Sequence, residues 1–327
     1  MILSLLVLTA SCSGQFGEKA DEYFAKTQPI ESPTEVKVIE EPNKPLDPST
    51  EPGVDKPSAS LITELFQQTD QKKVDIVWII DNSGSMSDEQ AALGSNFNAF
   101  IQDFVDTEVD FKMAITTTDP RDAYKGLMVP DSDIKLNSAA AQASPTQFIA
   151  DFNSLVKVGI SGSGSEQGLK ASEEFIARYN TSFFRPDAYM VFVILSDEPD
   201  QSPRLPEEYS ALLKANKSNS GLVKVYSIVD MNTGFDRYAS VSQSTAGEVG
   251  NIRSDFHETL SGMGASIMNL LDSFALSHSP IASSLKVYVN NVEVKDFSFD
   301  EKSLSVKFNP NFIPPVGSDI KVTYEKK

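Results

Sequence analysis

Residues 73–85 read Lys73-Val-Asp-Ile-Val-Trp-Ile-Ile-Asp81-Asn-Ser-Gly-Ser85, and the expected architecture grows out from them. The first part is a short, mostly β-branched apolar run, which predicts a buried strand with Trp78 in the core. The second part begins where that strand must end. It sets a carboxylate and two hydroxyls at alternate positions, Asp81, Ser83 and Ser85, and Gly84 between them allows a sharp turn. Three oxygen ligands converging this way suit a hard cation such as Mg²⁺, which keeps several of its waters.

The elements downstream alternate. A helix is expected over 87–105, where Ala91, Phe97, Phe100, Ile101 and Phe104 recur at helical spacing. Ser87 is its expected N-cap, with Asp88 and Glu89 in the first turn. Strands are expected over 109–116, 188–195 and 222–229. Helices are expected over 145–156, 165–179, 206–217 and 253–274. Alternation of this kind predicts an α/β fold, a Rossmann-like doubly wound and mostly parallel sheet. Ligands of such sheets sit at the carboxyl ends of the strands. Those ends are Asp81 onwards, Thr116 to Asp119, Ser196 to Asp200, and Asp230.

Asp-x-Ser-Gly-Ser after such a strand resembles the metal ion-dependent adhesion site of von Willebrand factor type A and integrin I domains. The resemblance covers roughly residues 70–275. It implies two further ligands, a Thr from a second loop and an Asp after a later strand. The second loop resembles Gly162-Ser-Gly-Ser165-Glu-Gln-Gly168, where Ser165 stands at the Thr position and keeps its hydroxyl; Ser163 competes for the role. The later Asp is Asp197, after Ile194-Leu-Ser. The ligand set so implied is Asp81, Ser83, Ser85, Ser165 and Asp197, around one Mg²⁺ (or Mn²⁺ or Ca²⁺). The family uses its cation to grip an Asp or Glu carboxylate of a protein partner, and its last helix can shift to couple the site to affinity. A binding module rather than an enzyme is therefore expected.

Other readings compete. Asp81 and Asp197 resemble the acidic pair of haloacid dehalogenase-like, Mg-dependent phosphatases, but Ser83 stands where that family has its second Asp. A structural envelope protein with an inactive metal site is a third reading. Gly162-x-Gly164-x-x-x-Gly168 lacks dinucleotide spacing, and Leu169 separates Gly168 from Lys170, so it is no P-loop. The acidic run Asp197-Glu-Pro-Asp200 reads as a solvated loop, with a second cation such as Ca²⁺ as the alternative.

Composition narrows the field. The net charge of −18 excludes a phosphate-binding surface, so no nucleic acid partner is expected. One cysteine, Cys12, permits no intrachain disulfide, and with two histidines it excludes Cys/His zinc sites and Cys-His nucleophile pairs.

Residues 1–12 read as a signal, since the apolar run 2–10 is too short to span a bilayer. The run ends in Ala10, Ser11 and Cys12, which resembles a bacterial lipoprotein signal and implies lipidation of Cys12. That places the protein on the bacterial cell envelope, anchored to a membrane through Cys12, with Ser13 pointing to the outer membrane. Residues 13–60 hold 7 of the chain's 18 prolines and few large apolar groups, as a disordered tether would. Residues 61–277 are the expected von Willebrand type A-like domain. Residues 278–327 alternate in polarity, with Asn290-Asn291 as a hairpin turn, and read as a small antiparallel β unit. About 45 residues are marginal alone. The unit should therefore pack on the main domain or recruit the strand-like residues before Lys73.

Overall fold

The structure is a computed structural model, and it describes residues 60–69, 72–107, 109–121, 123–232 and 236–327. The signal at 1–12, Cys12 and nearly all of the tether at 13–60 lie outside the described residues. In chain order the elements are β1 (Leu61–Gln67), β2 (Lys73–Ile80), α1 (Ser87–Asp106), β3 (Asp110–Thr117), α2 (Ser132–Lys135), α3 (Ser138–Ala143) and α4 (Pro145–Leu155). Then come α5 (Gly168–Phe183), β4 (Tyr189–Ser196), α6 (Pro206–Lys214), β5 (Val223–Val229), α7 (Asp236–Ser244), β6 (Val249–Asn251) and α8 (Phe256–Leu271). The chain continues through β7 (Phe274–Ala275), β8 (Lys286–Val289), β9 (Val292–Val294), β10 (Phe297–Asp300), β11 (Ser305–Phe308) and β12 (Asp319–Glu325).

A five-stranded parallel sheet, ordered β3-β2-β4-β5-β6, forms the centre. Its strands are largely apolar because helices cover both faces, with Asp75 and Lys224 as buried exceptions. Side chains of β2 alternate between those faces, as a period of two requires. Val74, Ile76, Trp78 and Ile80 join one core with Phe97, Phe100 and Phe104 of α1, Phe148 and Phe152 of α4, and Leu260 and Ile267 of α8. Val77 and Ile79 join the other, with Leu169 and Phe175 of α5, Leu213 of α6 and Val241 of α7. Helices α1 and α8 cross closely at Gly264, where an added Cβ would lie 2.5 Å from the Phe100 carbonyl oxygen. Gly264→Ala is therefore expected to cost about 1–3 kcal/mol by overpacking. Urea unfolding checks this, and an unchanged midpoint would show that the crossing yields freely.

The strand-like residues before Lys73 take part in the β unit. β1 pairs antiparallel with β12, Ile62 opposite Tyr324, so residues 61–67 belong with the C-terminal strands and not with the parallel sheet. The sheets are β1-β12-β8-β9 and β10-β11-β7, and they share a core of Ile62, Val287, Val306, Ile320, Val322 and Tyr324. Asn290 and Asn291 take φ of 49° and 66°, the left-handed pair that a tight hairpin turn demands. Glu64 locks the unit from inside, accepting Ser277 N–H at 3.0 Å and the Tyr324 hydroxyl. The unit also touches the parallel part. Asn219 Nδ2 donates to Ala275 O at 2.9 Å, and Lys224 Nζ to Ser303 O at 3.1 Å.

Several helix starts differ from expectation. Met86, not Ser87, holds the N-cap position of α1, and no side chain caps it. α5 begins at Gly168 rather than 165. α8 begins at Phe256 because Asp255 accepts His257 N–H and caps it there, and it ends at Leu271. α6 stops at Lys214. No helix among the described residues is long and apolar enough to cross a membrane.

Candidate metal centre

The carboxyl ends of β2, β3 and β4 meet at one edge of the sheet. There Asp81 N–H bonds Leu195 O and Thr118 N–H bonds Ile80 O. These ladder bonds set the loops after the three strands side by side.

The first loop folds around Asp81, which is fully buried. Its Oδ1 accepts Ser83 N–H at 2.7 Å, and its Oδ2 accepts the Ser196 hydroxyl at 2.6 Å. Ser83 Oγ and Ser85 Oγ lie 3.3 Å apart, and Ser85 Oγ donates to Asp197 Oδ1 at 3.1 Å. Asp81, Ser83, Ser85 and Asp197 thus form one continuous polar chain across two loops. Gln90, on the first turns of α1, braces it from beneath. Its Nε2 donates to both Asp81 O and Gly159 O at 2.9 Å.

The second loop packs onto the first through Gly162, whose N–H bonds Asn82 O at 2.8 Å. A Cβ at Gly162 would fall 2.2 Å from Asn82 Oδ1 and 2.6 Å from Asn82 O. Gly162→Ala should force the two loops apart. For any cation held between these loops, the expected result is roughly tenfold or greater loss of affinity, the usual scale for disturbing groups behind metal ligands. Calorimetric titration with Mn²⁺ reads it, and full retention of affinity would show that the loops do not act together.

Neither serine of the second loop brings its hydroxyl to the Asp81 cluster by a hydrogen bond. Ser163 Oγ accepts Ser165 N–H at 3.0 Å, and Ser165 is half-buried. The side chain that reaches inward is Glu166, which is fully buried. Its Oε2 accepts the hydroxyl of Thr118, and its carboxyl lies against that of Asp81. Sequence reading quoted Glu166 only as a loop residue. The available signal was its place between the expected ligand and the glycine that starts α5.

Charge at the site is crowded. Burial raises the Asp81 carboxyl above its ordinary range, and the nearby Asp197 adds to this against hydrogen bonds from Ser196 and Ser83. Burial likewise pushes Glu166 up to about 8, with Asp81 and Asp119 reinforcing the shift and Thr118 opposing it. Asp119 behaves differently. Though desolvated, it is held low by Arg121, whose Nε donates to both of its oxygens at 2.9 Å. Asp200 is not a solvated loop acid. It is buried, accepts Arg237 Nε at 3.0 Å, and receives Leu169 N–H at 3.3 Å. Asp230 pairs with Arg253.

Among the described residues no three His, Cys, Asp or Glu side chains form a metal-holding group by themselves. A cation here would depend on hydroxyls as well as acids. The donor set fits that demand, since it offers only hard oxygens and its buried acids lie close together.

No family model matches the sequence, and no curated protein does. Solved structures do match. One is a von Willebrand factor type A protein from Catenulispora acidiphila, 16% identical with a TM-score of 0.39, covering 82% of this chain and 61% of that one. Another is proximal thread matrix protein 1 of the mussel byssus, determined with a zinc-occupied MIDAS motif, 19% identical with a TM-score of 0.41, covering 64% and 48%. A third is the pilus adhesin SpaC of Lactobacillus rhamnosus GG in an open conformation, 12% identical with a TM-score of 0.40, covering 83% and 41%. The chain spans less than two thirds of the length of each of these proteins. Among solved structures, a von Willebrand factor type A protein, a byssus matrix protein and a pilus adhesin are what the chain is similar to.

Proposed function

We propose that the loops after β2 and β4, with the loop before α5, hold one divalent cation, and that the protein uses it to grip a partner protein. The single observation carrying this is the run of contacts from Asp81 through Ser83 and Ser85 to Asp197 at the sheet's carboxyl edge. Asp81 and Asp197 would supply the charge, and the two serine hydroxyls the neutral oxygens. The cation, when bound, supplies a Lewis-acidic position to which a partner's Asp or Glu carboxylate can coordinate. The chain's own residues do the rest. Ser196 and the Ser83 N–H fix the Asp81 carboxylate, and Gln90 fixes the backbone beneath it.

Mg²⁺ is the expected resident ion, because few carboxylates and several hydroxyls favour a small hard cation that keeps its waters. The protein would work on a bacterial envelope, held there through Cys12, with a protein ligand rather than a substrate. Titrating wild type and Asp81→Ala with Mg²⁺ and Mn²⁺ in a calorimeter tests this. Wild type should take up one ion and the variant none. A pull-down from envelope extract should then lose its partner when chelator is added. Absence of uptake by wild type would defeat the reading.

A further inference from the structure

Glu166 is 0% exposed, yet its Oε1 has no hydrogen-bond partner among the described residues. The other oxygen, Oε2, is satisfied by the Thr118 hydroxyl. Among the described residues no lysine or arginine forms an ion pair with Glu166 or with Asp81 beside it. An unpaired carboxylate oxygen in a water-excluded position is costly unless something positive meets it. The Glu166 carboxyl neighbours Asp81, the acid that anchors the candidate cation loop. The loop around Glu166 is also held firmly. Gln167 N–H bonds Thr118 O at 3.0 Å, and Gln201 N–H bonds Glu166 O at 2.7 Å. The side chain is therefore fixed at the site by two backbone bonds and one hydroxyl.

The serines compare poorly. Ser165 contributes its N–H to the loop, and the Ser163 hydroxyl is already engaged by that N–H.

We propose that the second loop ligates the cation through the Glu166 carboxylate, in place of a serine hydroxyl. This rests on the metal-binding reading above and changes its chemistry. Asp81 and Glu166 then meet the ion from adjacent positions. These two buried carboxylates already balance one divalent charge. The ion is held more tightly by the protein, and less of its charge remains to attract an acidic partner.

Calorimetric titration of the full chain with Mn²⁺ provides the test, with the Mn²⁺ electron paramagnetic resonance spectrum as a second readout. Glu166→Gln keeps the shape and the Thr118 contact but removes the charge. It should weaken Mn²⁺ binding about tenfold or more, since ligand charge sets affinity in oxygen sites. Ser165→Ala should weaken it less than about threefold by the same reasoning. Glu166→Asp keeps the charge and should fall between, which also serves if the glutamine variant folds poorly. Wild-type affinity in Glu166→Gln would overturn the proposal alone and show that Oε1 holds a proton. A larger loss in Ser165→Ala than in Glu166→Gln would overturn it as well. If wild type takes up no Mn²⁺, the metal-binding reading falls with it.

Discussion

Arg185→Ala is expected to destabilise the fold by about 3–5 kcal/mol, the range for removing one partner of a buried ion pair. Asp75, in β2, is fully buried. Arg185 answers it twice, with its backbone N–H to Oδ2 at 2.6 Å and its Nε to Oδ1 at 2.8 Å. The same guanidinium reaches Asp110 Oδ2 at 2.6 Å and donates to the carbonyls of Val74 and Asp110. It thereby ties β2, β3 and the segment before β4 together at the amino edge of the sheet. Even with Arg185 present, burial holds the Asp75 carboxyl above its ordinary range. Without the arginine that shift must grow. The native state would then keep a proton that the unfolded chain has released. Between the two pKa values, lowering the pH therefore favours the native state. The variant's deficit should narrow as pH falls from about 7 to about 5. Urea unfolding at both pH values measures this. A loss under about 1 kcal/mol at pH 7 would mean that water or another cation replaces the arginine.

Phe97→Ala should cost a similar amount, about 3–5 kcal/mol, through the cavity it leaves. Phe97 sits among Trp78, Phe100, Phe148 and Phe152, with ring centroids 6.2 Å from Trp78 and 5.9 Å from Phe100 and Phe148. Four aromatic neighbours on three different elements cannot all relax into one gap. Trp78 is the chain's single tryptophan, so its near-ultraviolet circular dichroism reports this cluster directly. The variant should lose that signal and shift the urea midpoint at nearly constant m value. A loss below about 2 kcal/mol would show that the cluster collapses without strain.

The central strands were legible because fully buried parallel strands leave unbroken apolar runs. The strand expected over 188–195 differs from β4, Tyr189–Ser196, by one residue at each end. Helix starts were less legible because capping depends on which polar group turns inward. At α5, the position read as helical (residue 165) belongs to a loop, since Glu166 is drawn back to Thr118 and Asp81. That pull comes from residues far away in the chain, and no local pattern carries it. The same holds for the site. Asp81, Ser83 and Ser85 could be read from spacing within one loop. Glu166 could not, because a lone glutamate beside glycines and serines looks solvent-facing until the loop after β3 supplies Thr118. Asp200 misled in the same way, its burial being set by Arg237 from α7. In the β unit, Asn290-Asn291 announced its turn. β10, with only Phe297 and Phe299 alternating over four residues, gave no comparable signal.

The pairing of β1 with β12 also decides where tension runs. Between residue 60 and the cation loop the backbone passes through only one strand of the β unit, β1, and then along β2 to Asp81. A pull applied between residue 60 and Asp81 would travel down that single covalent line. β8 to β12 stand beside that line. β2, by contrast, is gripped along its whole length by β3 on one side and β4 on the other. To extract it, force must shear both ladders at once instead of opening them bond by bond.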